Sequence, residues 1–285
     1  MMHGTPHALK KGIGFGLKHA AYLAIAFIFV LPLWWAIVSS LRPNTEVFAD
    51  IFPFTAKALI PSPFSLEAYQ GVFDRGFGLI IANTMFVAIV TMIGGLIVNG
   101  MAGFAFAVFD FKSKNAILTL IIISFMLPFE AIALPLYTVT LQLGWLDNVA
   151  ALIVPSVANG LAVFLFYQFF KEVPKDYLEA AKLDGASWFD VLVRIYVPLS
   201  IPTCISAGLL LFVFQWEAFL WPLLAMPSQQ FKVIQVGMAA FQQQYQTIWN
   251  QLFAVSVITA LIPIALLLPL QRYYVQGLAS AGIKG

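Results

Sequence analysis

The stretch YLEAAKLDGASWFDVLVRIYVPLS, residues 177–200, carries small and charged residues in a chain that is otherwise strongly apolar. Hydrophobic residues make up 61% of the 285 residues and charged residues only 10%, and the mean hydropathy is +0.90. A soluble domain of this length cannot bury so large an apolar fraction. The composition therefore predicts a membrane protein in which this polar stretch lies outside the lipid.

Six apolar runs flank this stretch, each long enough for the ~20 residues that carry a helix across a bilayer. They cover residues 19–40, 79–105, 116–139, 149–170, 199–224 and 251–271. Because these runs occupy most of the chain, we expect one all-α transmembrane domain over residues 1–285. We expect no soluble catalytic domain, no catalytic residues and no metal site. Residues 177–198 of this stretch fall in the long link 171–198, between the fourth and fifth runs, and its last two residues begin the fifth run.

Lysine and arginine residues set the predicted orientation of the chain. With the N-terminus in the cytoplasm, the outside positions are Arg42, Lys57, Arg75 and Lys232, which leaves eleven of the fifteen basic residues inside. This excess agrees with the positive-inside rule. We therefore expect both termini and the link 171–198 in the cytoplasm. No basic cluster indicates a nucleic-acid partner.

Local residue chemistry predicts two helices joined by a tight corner within this link. Pro174 suits the first turn of a helix, and Gly185 suits the left-handed position that commonly ends one. Ser187 and Asp190 have the spacing of a capping box that begins a second helix. We expect Pro198 to end that second helix.

The second helix of the link is predicted to be amphipathic. Its apolar residues Trp188, Val191, Leu192 and Ile195 recur at positions i, i+3, i+4 and i+7. Such a corner could insert into a groove on a partner protein, or its apolar stripe could lie on lipid headgroups. The residue pattern by itself leaves both interpretations open.

The same stretch resembles the EAA signature of permease subunits in binding-protein-dependent ATP-binding-cassette (ABC) importers. The signature positions are filled by Glu179, Ala180, Ala181, Asp184, Gly185, Ala186, Pro198 and Leu199. Other parts of the chain resemble the carbohydrate-importing branch of this family, namely Asn83 and Thr84, residues 135–137, LGWLDN at 143–148 and the tail 271–285. The chain departs from that pattern at Glu130 and at residues 215–217.

The resemblance implies the type I permease fold, with six transmembrane helices and a cytoplasmic coupling helix at the EAA corner. It implies four kinds of neighbour in a bacterial or archaeal cytoplasmic membrane: a second permease subunit, two ATPase subunits, an extracytoplasmic solute-binding protein and lipid. In this family the corner docks into a cleft of an ATPase subunit, with Glu179 and Gly185 at the contact. ATPase closure would then drive alternating access through packed helices.

ATP handling is expected in the partner subunits, since this sequence has no G-x-x-x-x-G-K-[ST] phosphate loop. The resemblance places ATP and Mg²⁺ on those ATPase subunits and implies no cofactor in this chain. It also favours a sugar or sugar-like solute.

The candidate residues for the solute path are Asn83, Glu130, Tyr137, Gln215, Trp216 and Glu217. Sugars are bound by polar groups and by aromatic faces, and these residues supply both. Glu130 and Glu217 also permit an alternative, because acidic residues at membrane depth can bind the ions that drive a secondary transporter. A channel would require a repeated pore motif, which we do not find in the sequence.

Small residues recur on one face of the second apolar run, at Gly95, Asn99, Gly103 and Ala107. A face of this kind lets another helix approach closely in lipid. That helix could belong to this chain or to a second permease subunit.

Overall fold

The structure is a computed structural model that describes residues 6–228, 230–242 and 247–282, with side chains described over 18–228, 230–242 and 247–271. The secondary structure of these residues is helical, and they contain no β-strand. In chain order the α-helices are α1 (Pro6–Ser40), α2 (Glu67–Asp74), α3 (Phe77–Val108), α4 (Lys114–Met126), α5 (Phe129–Gln142), α6 (Val149–Val157), α7 (Gly160–Glu172), α8 (Lys175–Leu183), α9 (Trp188–Val191), α10 (Val197–Leu199), α11 (Ile201–Trp216), α12 (Leu220–Ala225), α13 (Ile234–Ala239) and α14 (Trp249–Gly282). Short 3-10 helices form at Asn44–Glu46 and Ala56–Leu59, and a π-helical segment, Leu192–Tyr196, joins α9 to α10.

Four segments of the described residues are long and apolar enough to cross a membrane: Lys18–Ser40, Phe77–Val108, Val149–Glu172, which comprises α6 and α7, and Trp249–Gln271. Two bent pairs also qualify if each is counted as one span, namely α4 with α5, and the segment Trp188–Leu199 with α11. The predicted all-α, multi-pass fold is therefore confirmed. The third and fifth apolar runs, however, are not straight helices, and the fourth run is divided between α6 and α7.

The third apolar run breaks between α4 and α5, which are bent by 104°. Leu127 and Pro128 are extended at this break, with ψ values of 129° and 138°. Proline has no N–H and disfavours helical backbone in the residue before it, which explains the break at this position. The fifth run is interrupted as well, because α11 ends at Trp216 and α12 begins only at Leu220.

The chain forms two compact units, Met1–Gly76 with Phe241–Ala260, and Phe77–Ala240 with Leu261–Gly285. In the first unit, buried Arg42 organises the segment that follows α1. Its guanidinium pairs with Asp50 and donates a 2.7 Å hydrogen bond to the carbonyl of Ser62. The hydrogen bond from Arg42 holds the pKa of Asp50 below its ordinary value. This segment was predicted only as an outside loop.

In the second unit, α3 packs against α6, α7, α11 and α13. The small-residue face of α3 makes the close approaches. A Cβ atom at Gly103 would lie 2.4 Å from the Cβ atom of Phe166 in α7, and one at Gly95 would lie 2.7 Å from a methyl group of Leu211 in α11. The small residues at 95 and 103 therefore serve packing within this chain, because they leave no room for a side chain against its own helices.

Candidate functional site

The polar stretch forms a sharp corner between α8 and α9. Gly185 adopts a φ of +79°, in the left-handed region. The N–H of Ala186 donates to the carbonyl of Ala181 at 2.9 Å, and that of Gly185 to the carbonyl of Lys182 at 3.1 Å. These two bonds are the Schellman pattern, which confirms the predicted helix end. Pro174 lies at the N-cap position, one residue before the first turn to which it was assigned.

The predicted capping box at the start of α9 is confirmed. The Ser187 hydroxyl accepts a 3.1 Å hydrogen bond from the Asp190 N–H, and the Asp190 carboxylate accepts one of 3.3 Å from the Ser187 N–H. Hydrogen bonds from the Ser187 hydroxyl, and then from its N–H, hold the pKa of Asp190 below its ordinary value. Asp190 is therefore ionised at neutral pH and faces Arg194 at 3.2 Å.

Lys182 holds the corner together from the inside. Its Nζ donates a 3.0 Å hydrogen bond to the carbonyl of Ala186 and lies 3.6 Å from the centroid of the Trp188 ring. Trp188 in turn meets the ring of Phe109 at a centroid distance of 4.7 Å. Sequence reasoning missed this role, because the two partners meet only when the chain reverses at Gly185.

Val191 and Leu192 of the apolar stripe after the corner are buried by the chain itself, whereas Trp188 at the start of the stripe is 44% exposed. Val191, Leu192 and Tyr196 belong to a core cluster with Phe104 and Phe170. The ring of Tyr196 lies 5.0 Å from that of Phe104 and 5.4 Å from that of Phe170. For Val191 and Leu192, the interpretation in which this stripe lies on lipid headgroups is therefore wrong. The packing of these residues fixes the corner to the helices of the second unit.

The expectation that Pro198 ends the helix is also wrong. Pro198 lies inside α10, and the backbone leaves the helix at Ser200. The π-helical segment Leu192–Tyr196 precedes α10, so Pro198 stands in the first turn of a new helical segment. Proline is tolerated there because it needs no N–H partner.

The outer face of the corner is exposed and mixes charge with apolar groups. Glu179, Asp184 and Gly185 are exposed. Beside them, Leu183 is 88% exposed and Phe189 is 70% exposed. Large apolar side chains that remain this open at a polar corner mark a surface for contact with another molecule. Sequence reasoning missed both residues, since nothing in the periodicity separates them from core positions.

A cavity of about 550 Å³ lies elsewhere in the second unit. Three interruptions of the helices line it: Leu127 between α4 and α5, Ala158 and Asn159 between α6 and α7, and Ala218 with Phe219 between α11 and α12. No single apolar run predicts this cavity, because it forms where three breaks distant in sequence come together.

The six candidate residues of the solute path lie in different environments. Gln215 lines the cavity, whereas the other five do not. Trp216 is buried and stacks on Phe212 at 5.7 Å. The amide of Asn83 donates to the carbonyl of Lys232 at 3.2 Å.

The remaining three candidates are two exposed carboxylates and one packed tyrosine. Glu130 lies in the first turn of α5, and Glu217 lies at the C-terminal end of α11. Tyr137 packs against the core cluster that contains Trp221. The described residues contain no group of three or more histidine, cysteine, aspartate or glutamate side chains that could hold a metal ion.

Residues 95–279 match the family described as "Binding-protein-dependent transport system inner membrane component". The chain belongs to this family. Arabinooligosaccharides transport system permease protein AraQ of Halalkalibacterium halodurans is 32% identical over 263 residues, which are 92% of this chain and 93% of that protein. The sn-glycerol-3-phosphate transport system permease protein UgpE of Rhizobium meliloti is 30% identical over 275 residues, which are 94% of this chain and 97% of that protein.

A solved structure shares the fold. It is the crystal structure of a bacterial ABC transporter involved in the import of the acidic polysaccharide alginate, with a TM-score of 0.81 and 20% sequence identity over 96% of this chain and 99% of that one. The resemblance read from the EAA stretch is confirmed. This family member is a multi-pass permease subunit and not an enzyme, and no comparison supports an ion-coupled secondary transporter.

Proposed function

We propose that this permease subunit serves an ATP-driven importer of a sugar or sugar-like solute. The relatives AraQ and UgpE are named for arabinooligosaccharides and for sn-glycerol-3-phosphate, which are both polyhydroxylated or derived from a polyol. In this proposal the cavity beside Gln215 belongs to the solute path. The other candidates for the path, including Glu130 and Glu217, stay predictions.

The observation that carries the proposal is the construction of the EAA corner. Its outer face is open at Glu179, Leu183 and Phe189, while its inner face is fixed in the core through Val191 and Tyr196. A rigid element with one free face and one buried face transmits displacement, because packed cores shift between discrete arrangements rather than deform. A separate ATPase that moves the free face would therefore move α3, α7 and α11.

The proposal assigns the remaining parts of the importer to other chains. Two ATPase subunits would bind ATP and Mg²⁺ on the cytoplasmic side, where this chain would place both termini and the corner. A second permease subunit would complete the translocation path, and an extracytoplasmic binding protein would deliver the solute. Residues Glu179, Ala180, Ala181, Asp184, Gly185 and Ala186, together with Pro198, would form or support the ATPase contact.

Reconstitution into proteoliposomes tests this proposal. We expect uptake of radiolabelled arabinotriose or sn-glycerol 3-phosphate by the complete importer to require both ATP and the binding protein. The matched control contains this chain alone in the same lipid. Uptake by the chain alone at the rate of the complete importer would contradict the proposal.

A further inference from the structure

The side chains that line the cavity of the second unit indicate which chemical class of solute it could bind. Non-helical backbone at membrane depth is tolerated where it lines a cavity, and broken helices commonly form solute sites in transporters. Here the breaks of three helix pairs converge on one cavity of about 550 Å³. This volume lies within the range of about 300 to 1,000 Å³ that is typical of small-molecule sites.

The lining of the cavity is mainly apolar and aromatic, with a few polar side chains and no charged one among the described residues. Its polar side chains are Thr91, Ser124, Ser156, Asn159 and Gln215, and its aromatic side chains are Phe125, Phe129, Phe214, Phe219 and Trp221. No aspartate, glutamate, lysine, arginine or histidine lies among the described lining residues. Hydroxyl and amide groups bind sugar hydroxyls, and aromatic faces cover the apolar side of a sugar ring.

Two of the polar lining residues are buried, and one of them lacks a partner within the part of the chain that the structure describes. Thr91 is 1% exposed, and its Oγ1 atom has no hydrogen-bond partner among these residues. Gln215 lines the same cavity and is also buried, at 6% exposure. A buried polar group without a partner is destabilising, so such groups mark positions where something else supplies the hydrogen bond.

We propose that this cavity binds a neutral, polyhydroxylated solute, namely a short oligosaccharide, with Gln215 and Thr91 as its hydrogen-bonding contacts. The inference rests on the proposed function and narrows its substrate class. An anion such as a phosphorylated polyol or an acidic sugar would lose its hydration among described lining residues that offer it no positive charge, and this loss is costly. A neutral sugar exchanges its water hydrogen bonds for those of the amide and the hydroxyl.

A thiol reporter tests the proposal in the complete importer. The reporter is Ala218→Cys in a Cys204→Ser background, because Ala218 lines the cavity and Cys204 does not. The measured quantity is the rate of modification by a small water-soluble thiol reagent, without ATP. We expect neutral trisaccharides of arabinose, xylose or glucose to slow the modification of the thiol. At a trisaccharide concentration of twice the dissociation constant the rate should fall about threefold, because the rate is divided by 1 + [L]/Kd. Neither sn-glycerol 3-phosphate nor trigalacturonate should protect.

Substitutions assign the protection to the two contacts. Gln215→Leu and Thr91→Val should each abolish protection by the neutral trisaccharides. Thr140→Val is the matched control, because Thr140 is equally buried but bonds to the carbonyl of Leu136 at 2.8 Å and does not line the cavity. If the Gln215→Leu variant fails to assemble with its partner subunits, the Gln215→Asn variant replaces it in the test. This variant keeps the amide on a shorter side chain and should weaken protection.

Three outcomes would overturn the inference: equal protection by the anions, full protection in both Gln215 and Thr91 variants, or no protection by any neutral trisaccharide. These outcomes differ from failure of the proposed function. That failure would appear as uptake that needs no ATP and no companion subunit, whereas the thiol measurement reports occupancy of the cavity alone.

Discussion

Asn99 shows how one side chain stabilises a break inside the transmembrane region. Its Nδ2 donates to the carbonyl of Val157 at 2.9 Å, and its Oδ1 accepts from the N–H of Asn159 at 2.9 Å. Both backbone groups lie where α6 gives way to α7. Lipid supplies no water to hydrogen-bond with these backbone groups, so the buried side-chain amide of Asn99 on α3 supplies both hydrogen bonds.

Replacement of Asn99 by leucine is expected to destabilise the protein. Val157 and Asn159 would each lose a partner, at a cost of about 1–3 kcal/mol per buried group. The thermal unfolding temperature in detergent should fall clearly below that of the unsubstituted chain. Asn83→Leu is the control, since Asn83 makes one hydrogen bond at a partly buried position. Equal effects of the two substitutions would contradict the bridging role of Asn99.

Gly185 permits a test of the corner itself. Its φ of +79° strains any L-residue, by roughly 1–2 kcal/mol, and a β-branched residue more strongly. Gly185→Val should therefore displace the corner, leaving ATP hydrolysis by the complex but abolishing most of the coupled uptake. Gly144→Val imposes the same kind of strain at a φ of +67° in an unrelated turn. Loss of uptake in both variants alike would argue against a specific coupling role of the corner.

Among the helices, α3 and α7 make a close contact that depends on the absence of a side chain at Gly103. A Cβ atom at Gly103 would lie 2.4 Å from the Cβ atom of Phe166 and 2.9 Å from the backbone nitrogen of Tyr167. Neither atom can move without a shift of α7. The close contact also places α7 beside the aromatic cluster that anchors the corner.

Gly103→Ala should separate α3 from α7 and lower both the unfolding temperature and the coupled uptake. Gly100→Ala is a matched control three residues away, because its Cβ atom would find no neighbour closer than 3.8 Å. In that position alanine is expected to be neutral or stabilising by about 0.5–1 kcal/mol, as in an ordinary helix interior. A Gly103→Ala variant as stable as Gly100→Ala would refute the close-packing argument.

At the scale of the whole molecule, the exposed face of the corner predicts how the chain assembles. Glu179 is exposed beside Leu183, whereas Glu217 lies at the end of α11, far from the corner in sequence. Glu179→Lys should weaken co-purification of the ATPase subunits at least about tenfold, or ~1.4 kcal/mol, because charge reversal at a contact converts attraction to repulsion.

Glu217→Ala is the control for this measurement, and we expect it to leave the recovery of the ATPase unchanged. Quantification of the ATPase that remains bound after purification in mild detergent compares the two variants. A similar loss in both would remove the division of roles between the corner and the end of α11.

Features that depend on composition and on local backbone chemistry could be predicted from the amino-acid sequence. Long apolar runs must leave water, so the membrane class and the all-α fold followed from hydropathy. Gly185 and the Ser187–Asp190 pair act within a few residues, so the corner was predictable where it lies. The family was readable for the same reason, because its signature is a short contiguous stretch.

Which surfaces are covered and which remain open could not be predicted from the residue pattern and depends on the packing of distant helices. The apolar stripe at Val191 and Leu192 fits lipid or protein equally well by its period, and the packing of Phe104 and Phe170 against it settled the choice. The cavity beside Gln215 depends on three helix breaks far apart in sequence. Contacts between distant segments depend on how the helices pack together, and helical periodicity describes only one helix at a time.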